Sequence, residues 1–417
     1  MTDGIEYTDF VELDDEARRD EVVCSYRFQH ADDVDAEWAA GAIAAESSIG
    51  TWEPGLKTMN PGVREKAARV VELSGRAAEI AYPAVLFEAQ NIPQVLSSIA
   101  GNVYGLSELR RLRLDDVELP SDVVRSHAGP ALGVEEVRRR VGAVDRPVVG
   151  TIVKPKLGLT AEQHAEVARD SWLGGLDVVK DDENLASMEF NDYYERVERT
   201  LEAKQEAEDE TGEHKLYFPN VTAPCDEMLR RAEAAVDAGG DYVMVDVLTA
   251  GWSAVQTLRD HLPDDVGVHG HRAMHAAFTR LPDHGVSMLA VAKFARLAGV
   301  DNLHAGAVVG KMEGGREEVE EIYGFLRGDW HGLKTTIPVA SGGLHPGLVG
   351  SVVDILGVET VVQAGGGVHG HPDGTRAGAR AMREAAEAVA AGETAEERAR
   401  TSEELAAAID RWGVEPR

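Results

Sequence analysis

The sequence predicts an α/β protein in which a C-terminal (β/α)8 TIM barrel, residues 131–417, follows a smaller N-terminal α+β domain, residues 1–130. Two observations predict the barrel. From about residue 145 onward, eight short β-branched segments alternate with amphipathic stretches, which is the pattern of parallel strands joined by helices. Nearly every one of these segments ends in a polar or glycine-rich cluster, and the active site of a TIM barrel is built at the carboxyl ends of its strands.

The eight predicted strands share an apolar body and a polar or glycine end. In chain order they are 147-PVVGTIVKPK-156, 176-LDVVKDD-182, 216-LYFPNVTA-223, 242-YVMVDVLTAG-251, 266-VGVHGHRA-273, 301-DNLHAGAV-308, 335-TTIPVASGG-343 and 360-TVVQAGGG-367. Apolar residues at three- and four-residue spacing predict helices between them, for example over 160–173, 226–238 and 286–298. The Ala/Glu/Arg-rich tail from about residue 374 predicts further helix, packed outside the barrel.

The N-terminal region mixes two kinds of pattern. The stretch 61-PGVREKAARVVELSG-75 has a helix-like pattern, whereas 82-YPAVLFEA-89 has a strand-like one. The turn-rich segment 127-HAGPALG-133 is a plausible junction with the barrel.

The charge balance excludes two classes of partner. Asp and Glu number 73 against 42 Lys and Arg, which gives a formal net charge of -31. Nucleic acid and anionic membrane both require a basic surface, so neither is expected as a partner. An acidic surface of this kind is suited to solubility in a salt-rich cytoplasm.

Other features also predict a cytoplasmic protein. Cys24 and Cys225 are far apart and form no CxxC pair, so neither a disulfide framework nor a thiolate zinc site is indicated. The N-terminus lacks the basic and apolar regions of a signal peptide, and no uncharged apolar run is long enough to span a bilayer.

The segment 174-GGLDVVKDDENLAS-187 carries the most specific chemical signal. In an extended chain Lys180 and Asp182 point to the same side, and Glu183 can join them where the strand breaks. Two carboxylates supply the hard oxygen ligands that suit Mg²⁺, but a lysine ammonium would repel the ion. If the amine reacts with CO2, Lys180 becomes a carbamate, which is an anionic ligand. For an isolated lysine beside acids, a simple ion pair would be the better interpretation.

Several motifs occur in order along nearly the whole chain. They are 45-AESSIGTW-52, 101-GNVYG-105, 150-GTIVKPKLGL-159, 174-GGLDVVKDDEN-184, 271-HRAMHA-276, 304-HAGAVVGKMEG-314, 339-VASGG-343 and 363-QAGGG-367. By these motifs the sequence resembles the large chain of ribulose-1,5-bisphosphate carboxylase/oxygenase. The resemblance implies a ferredoxin-like N-terminal domain, and it implies that activator CO2 carbamylates Lys180, with Asp182 and Glu183 completing a Mg²⁺ site.

The resemblance also implies roles for residues at the reacting end of the site. Lys154 would transfer protons at the substrate, and Lys156 would hold the substrate electrostatically. His271 would be a polar group near the reacting carbons. Lys311 lies in a loop flanked by glycines, which is suited to a mobile lid, and in the family this lysine contacts the carboxylate formed from CO2.

Phosphate groups would bind at other strand ends. Glycines after strands seven and eight occupy the usual barrel phosphate position, where backbone N–H groups accept a dianion. By resemblance the substrate-binding residues are Arg272, His304, Ser341, Gly342, Gly343, Gly365 and Gly366, with Thr51 and Trp52 from the smaller domain. Glu46 and Asn102 come from the neighbouring chain in the family, so a complete site implies a homodimer or a ring of dimers. His269 and His275 are interpreted as structural.

The activity implied by the resemblance is Mg²⁺-dependent enolisation of ribulose 1,5-bisphosphate and addition of CO2, which gives two molecules of 3-phosphoglycerate. O2 competes with CO2 for the enediolate that enolisation produces. Ile152, the sequence LHPGL after 339–343 and the short C-terminus resemble the archaeal form III branch. That branch works without a small subunit and is associated with recycling of nucleotide-derived ribose.

Three alternatives stay open at the level of sequence. One is a family relative that only enolises a related sugar phosphate, although such proteins usually lose several of the substrate residues present here. Another is a carbamylated-lysine metallohydrolase, for which 269-HGH-271 would fit in isolation, but there the HxH lies on strand one and the lysine on strand four. A non-catalytic phosphate-binding descendant is the third.

We predict that stability and activity depend on molar salt. Like charges repel over a screening length of roughly 30 Å at 0.01 M salt and roughly 3 Å at 1 M, and the chain has only ten lysines beside thirty-two arginines to offset its acids. Dilution should loosen the dimer first, because two acidic chains meet there. Sedimentation and activity across a salt series, with a non-denaturing osmolyte as control, test this. A fully active dimer at low salt would refute it.

Overall fold

The computed structural model describes residues 6–13, 16–50, 56, 58–309 and 315–415, which form two compact units. The first unit comprises Met1–His127, Met274–Leu297 and His331–Leu333, and the second comprises Ala128–Ala273, Ala298–Trp330 and Lys334–Arg417. The change of unit after His127 lies close to the predicted domain division after residue 130. The segment Met274–Leu297, which lies between two barrel strands in the sequence, belongs to the first unit.

The described residues contain thirteen strands and eighteen α-helices. The strands are β1 (Glu21–His30), β2 (Arg69–Ser74), β3 (Ala77–Pro83), β4 (Leu109–Glu118), β5 (Val148–Ile152), β6 (Val178–Lys180), β7 (Leu216–Phe218), β8 (Tyr242–Asp246), β9 (Gly267–His271), β10 (Gly285–Val286), β11 (Asn302–His304), β12 (Ile337–Ser341) and β13 (Val361–Gln363). The helices are α1 (Ala36–Glu46), α2 (Pro61–Arg64), α3 (Ile92–Ile99), α4 (Ser121–Arg125), α5 (Gly133–Arg140), α6 (Ala161–Leu173), α7 (Tyr193–Thr211), α8 (Cys225–Asp237), α9 (Val247–Ala250), α10 (Trp252–His261), α11 (Ala276–Thr279), α12 (Met288–Leu297), α13 (Arg316–Arg327), α14 (Val349–Leu356), α15 (Gly366–His369), α16 (Thr375–Ala391), α17 (Ala395–Ala399) and α18 (Glu403–Trp412).

Eight parallel strands form the barrel of the second unit, in the order β7-β6-β5-β13-β12-β11-β9-β8. The two outer strands of this order meet just beyond β7, where Val221 N–H donates to the Met244 carbonyl at 2.9 Å and Met244 N–H donates to the Pro219 carbonyl at 2.8 Å. All eight predicted barrel strands are confirmed. They are shorter than predicted, because their polar ends leave the sheet to form the loops of the carboxyl face.

The barrel interior is filled by side chains. Its buried apolar cluster includes Val148, Val178, Leu216, Phe218, Tyr242, Met244, Ile337, Val339 and Val361. Gly267 makes room for the largest of these, since a Cβ there would lie 2.3 Å from the Tyr242 ring. Full burial of one such side chain contributes about 1.5–3 kcal/mol, so the packed interior supports the polar residues that follow each strand.

The three helices named from apolar spacing are confirmed as α6, α8 and α12, and the predicted helical tail forms α16, α17 and α18. Local signals explain where they begin. Thr160 caps α6 by accepting from Gln163 N–H, and the Gln163 side chain accepts from Thr160 N–H in return. Across the described residues, no helix combines the length and the apolar character that crossing a membrane requires.

The first unit has the β-α-β-β-α-β order of a ferredoxin-like domain, made of β1, α1, β2, β3, α3 and β4. Its sheet has the order β10-β4-β1-β3-β2. Neighbouring strands are antiparallel except for β10, which joins β4 in parallel at the edge. The α+β prediction is therefore confirmed.

Two local predictions in this unit are wrong. The helix-like stretch 61–75 contains only the short α2, and β2 follows it and pairs with β3 through the two-residue turn at Gly75, where φ is +61°. The β-branched pair Val70–Val71 suits a strand, and glycine permits the turn. The strand-like stretch 82–89 continues β3 only to Pro83, after which Ala84–Leu86 forms a 3-10 turn. Proline lacks the N–H that a continuing strand would use.

We predict that His214 contributes stability that is lost at alkaline pH. Its Nδ1 lies 2.8 Å from Glu208 Oε1 and its Nε2 lies 2.7 Å from Asp241 Oδ2, and hydrogen bonds to Asp241 and then Glu208 raise the pKa of His214 to about 9. Because this pKa is raised, protonated His214 contributes its full share to the free energy of unfolding below about pH 6.5. This contribution is lost as the pH rises through about 9. The His214→Gln variant should be less stable by about 1 kcal/mol at pH 6, after allowance for solvent screening, and equal to wild type near pH 10.

Denaturant unfolding of both proteins at the two pH values measures the difference in the free energy of unfolding. A His214→Gln deficit that does not change between pH 6 and pH 10 would contradict the assignment.

Candidate active site

Polar side chains gather at the carboxyl ends of the barrel strands. Lys180 is the last residue of β6, His271 of β9, His304 of β11 and Ser341 of β12. Because the strands are parallel, all of these ends lie on one face of the barrel, as the sequence predicts. The lysine is on strand two and the HGH segment on strand five, which is not the metallohydrolase arrangement.

Lys180 is completely buried. Its Nζ donates to the Asp181 carbonyl at 2.9 Å, and it lies 3.5 Å from Met244 Sδ and 3.8 Å from Glu183 Oε2. Burial lowers the pKa of Lys180, and this effect outweighs the opposing influence of Glu183, Asp182 and Asp246. The amine therefore loses its proton more readily than a surface lysine, and a neutral amine is a nucleophile.

The two predicted metal carboxylates follow directly. Asp182 is almost fully buried, with Oδ2 2.5 Å from Lys154 Nζ and Oδ1 accepting from Asn184 N–H at 3.1 Å. Burial alone would raise the pKa of Glu183, but the nearby Lys180 and His271 side chains outweigh it and lower that pKa. Glu183 therefore offers ionised, hard oxygen atoms close to the Lys180 amine.

Lys154 and Lys156 lie in the loop beyond β5, because that strand ends at Ile152. Both reach toward the loop after β6. Lys156 Nζ donates to Asn184 Oδ1 at 3.0 Å, whereas Lys154 contacts Asp182. A Cβ on Gly365 would lie only 3.1 Å from Lys154 Cε, so glycine at that position allows the lysine to pass.

His271 connects two carboxylates. Its Nδ1 lies 3.0 Å from Asp246 Oδ1 and its Nε2 lies 3.7 Å from Glu183 Oε2. The Ala273 N–H also approaches Nδ1, at 3.2 Å. Nε2 is therefore the ring nitrogen on the side of Glu183 and the site.

His304 and His269 form a buried pair. Their Nε2 atoms lie 3.0 Å apart, and His304 Nδ1 lies 2.7 Å from Ser341 Oγ. Burial lowers the pKa of each ring well below its usual value, so both are neutral at neutral pH. His269 also stacks on Phe218, with ring centroids 4.7 Å apart, in keeping with its structural interpretation.

The predicted phosphate ligands combine one cation with backbone amides. Arg272 is nearly buried, and burial lowers its pKa to about 10, so it remains charged at neutral pH. Gly342 and Gly343 follow β12 with φ of +106° and +74°, a region that favours glycine. Gly365 precedes the short α15, which begins at Gly366. These are suitable surroundings for a phosphate dianion.

The site residues predicted in the first unit are only partly described. Glu46 ends α1, and Asn102 Nδ2 donates to Glu46 Oε1 at 3.2 Å, so the two lie together. Thr51, Trp52 and Lys311 fall outside the described residues.

Three further polar residues take part in the site although the sequence did not single them out. Asp246 faces His271, Asn184 faces Lys156, and Asn220 follows β7 and contacts the loop after β6. Each stands at or just beyond a strand end, which is the signal that could have identified them.

Comparison with known proteins gives consistent matches over both units. The family described as "Ribulose bisphosphate carboxylase large chain, catalytic domain" matches residues 133–412, and "Ribulose bisphosphate carboxylase large chain, N-terminal domain" matches residues 9–123. A protein of Pyrococcus abyssi named "Ribulose bisphosphate carboxylase" is 47% identical over 413 residues, covering 98% of this chain and 97% of that protein. One of the same name from Methanocaldococcus jannaschii is 50% identical over 400 residues, covering 90% and 94%.

Solved structures of ribulose-1,5-bisphosphate carboxylase/oxygenases are also similar to this chain. An octameric ribulose-1,5-bisphosphate carboxylase/oxygenase from Pyrococcus horikoshii superposes with a TM-score of 0.96 at 45% identity, covering 99% of this chain and 98% of that one. The dimeric archaeal Rubisco of Hyperthermus butylicus gives a TM-score of 0.92 at 42% identity, covering 98% and 100%.

Proposed function

Because the chain belongs to the ribulose bisphosphate carboxylase large-chain family, we propose that it carboxylates ribulose 1,5-bisphosphate with the strand-end residues described above. The observation that carries the residue assignments is the buried Lys180 amine beside the Asp182 and Glu183 carboxylates. In this proposal the metal ligands and the phosphate-binding groups would lie at different strand ends on one face of the barrel.

The donor set fits Mg²⁺ once Lys180 is carbamylated. Asp182 and Glu183 supply two hard oxygen ligands, whereas an ammonium between them would repel a cation. A neutral Lys180 amine can add to the carbon of activator CO2, forming an N–C bond and losing one proton. The product is an anionic carbamate whose oxygen can be the third ligand.

When bound, Mg²⁺ would polarise the substrate oxygens and stabilise negative charge on them. The Lys180 carbamate would take the C3 proton of the substrate, as a general base. Lys154 would move protons at the reacting carbons, with His271 as a further polar group whose Nε2 faces the site. Lys311 would contact the new carboxylate after CO2 adds.

Different groups would bind the two phosphate groups of the substrate. Arg272 and His304 would bind one phosphate, with Ser341 contacting a substrate hydroxyl. The backbone N–H groups around Gly342, Gly343, Gly365 and Gly366 would bind the other, with Thr51 and Trp52. Lys156 would hold the substrate electrostatically. Because both phosphate ends would be fixed, the binding energy would be used to orient the substrate.

We also propose a homodimer or a ring of dimers without a small subunit, in which Glu46 and Asn102 complete the site of a neighbouring copy. Relatives of both kinds exist, since the Pyrococcus horikoshii protein is octameric and that of Hyperthermus butylicus is dimeric. The chain would act in salt-rich cytoplasm, in the recycling of nucleotide-derived ribose.

We predict that the Lys180→Ala variant loses ribulose-bisphosphate-dependent incorporation of labelled CO2 by about 10³-fold or more, because both the base and a metal ligand are removed. Lys215 provides a matched control, since it is also completely buried but pairs with Glu213 at 2.7 Å just before β7, at the opposite end of the barrel. The Lys215→Met variant should lose stability and retain the turnover of its folded fraction.

The assay is run in high salt after incubation with Mg²⁺ and CO2, and exchange of the C3 proton is followed beside it. Substantial carboxylation by Lys180→Ala would show the carbamate assignment to be wrong. Proton exchange without carboxylation in the wild type would favour the sugar-phosphate enolase alternative.

A further inference from the structure

One acid of the KDDEN segment points away from the site. β6 ends at Lys180, and the chain alternation that directs Lys180 and Asp182 inward turns the Asp181 side chain outward, where it is completely buried. No role in carbamylation, metal binding or substrate binding is assigned to it above. Its carboxylate nevertheless accepts three hydrogen bonds.

The Asp181 carboxylate has polar contacts with four residues. Tyr217 Oη donates to its Oδ1 at 2.7 Å, Asn220 N–H donates to its Oδ2 at 2.9 Å, and Arg196 Nε donates to its Oδ2 at 3.1 Å. His164 Nε2 lies 3.1 Å from its Oδ1, although the angle is poor for a hydrogen bond. Burial alone would raise the pKa of Asp181, but Arg196, His164 and the Asn220 N–H lower it, so the carboxylate is ionised.

Arg196 extends this contact along the loop that follows. The guanidinium is completely buried on α7, and its Nη1 donates to the Ala186 carbonyl at 3.0 Å and to Asn191 Oδ1 at 2.9 Å. One side chain therefore joins the beginning of the loop at Asp181 to two points farther along it.

Asn220 holds the intervening residues. Its Nδ2 lies 3.2 Å from the Glu183 carbonyl, 3.2 Å from the Leu185 carbonyl and 3.4 Å from the Asp182 carbonyl. The amide has two protons, so these three oxygens share them. The Asn220 Oδ1 accepts from Thr222 N–H at 3.0 Å, which fixes the orientation of the amide itself.

Buried ionic contacts of this kind add little net stability to a fold. A buried ion pair loses much of its attraction to the cost of removing both charges from water, and its replacement by apolar residues is often neutral. Its value lies in geometry, because groups that hold metal ligands in place raise metal affinity without touching the metal.

We propose that Asp181, Arg196 and Asn220 form a clamp that positions Lys180, Asp182 and Glu183 for carbamylation and Mg²⁺ binding. The clamp residues are positioning residues, since their side chains contact one another and the loop after β6, and none of these side chains contacts the reacting groups. This inference rests on the proposed function of Lys180.

The test measures the carbamate itself rather than turnover. Protein in high salt is equilibrated with ¹³C-labelled CO2, and the carbamate signal is followed by ¹³C NMR as Mg²⁺ is added. We expect the Mg²⁺ concentration at half-maximal signal to rise about 10- to 100-fold in Asp181→Asn and in Asn220→Ala. The second variant leaves the Asp181–Arg196 pair intact, so it decides the matter if the first does not fold.

The matched control lies at the other end of the same strand. Asp177 precedes β6 and forms a buried ion pair with Arg146 at 2.6 Å, and it also accepts from Val149 N–H at 2.9 Å. The Asp177→Asn variant should lower the melting temperature and leave the Mg²⁺ midpoint unchanged.

Three other outcomes would contradict the proposal, and they can be told apart. An unchanged midpoint in folded clamp variants would mean that the network is only structural. An equal shift in the Asp177→Asn control would mean that general destabilisation is the cause. A wild-type protein without any Mg²⁺-dependent carbamate would instead refute the proposed function on which the clamp rests.

Discussion

The burial of the Lys180 amine at the end of β6 is the constraint on which the site depends. In water a lysine is protonated and repels a metal ion, whereas burial lowers the pKa of Lys180 and favours the neutral amine. Only that form can react with CO2 and become an anionic ligand beside Asp182 and Glu183. The environment that makes the lysine reactive is also the one that leaves a metal-binding group after the reaction.

The barrel supplies this environment through its packing. Met244 and Phe218, on the two strands that follow β6 along the chain, belong to the apolar interior, and Lys180 Nζ lies 3.5 Å from Met244 Sδ. Polar groups begin one layer higher, where Asp246 and His271 form a pair. The boundary between apolar and polar layers therefore passes through Lys180, with its stem in the core and its amine at the floor of the site.

Much of this could be predicted from sequence, for physical reasons that differ between regions. Barrel strands such as 147-PVVG-150 have a continuous β-branched signal because they are buried on both faces, and their polar ends mark the carboxyl face. The hairpin of β2 and β3 was missed because its pairing depends on a partner strand and a turn at Gly75, while the local spacing also suits a helix. Asp246, Asn184 and Asn220 stand at or just beyond strand ends, which marks them as polar candidates, but the sequence does not show which groups they contact. Their roles arise from contacts with residues far away in the chain.

A crystal structure of the protein equilibrated with bicarbonate and Mg²⁺ in high salt would test the central claim most directly. We expect electron density for a carboxyl group on Lys180 Nζ, with one ion bound by this group, Asp182 and Glu183. An unmodified Lys180 amine with the ion bound elsewhere would contradict the assignment.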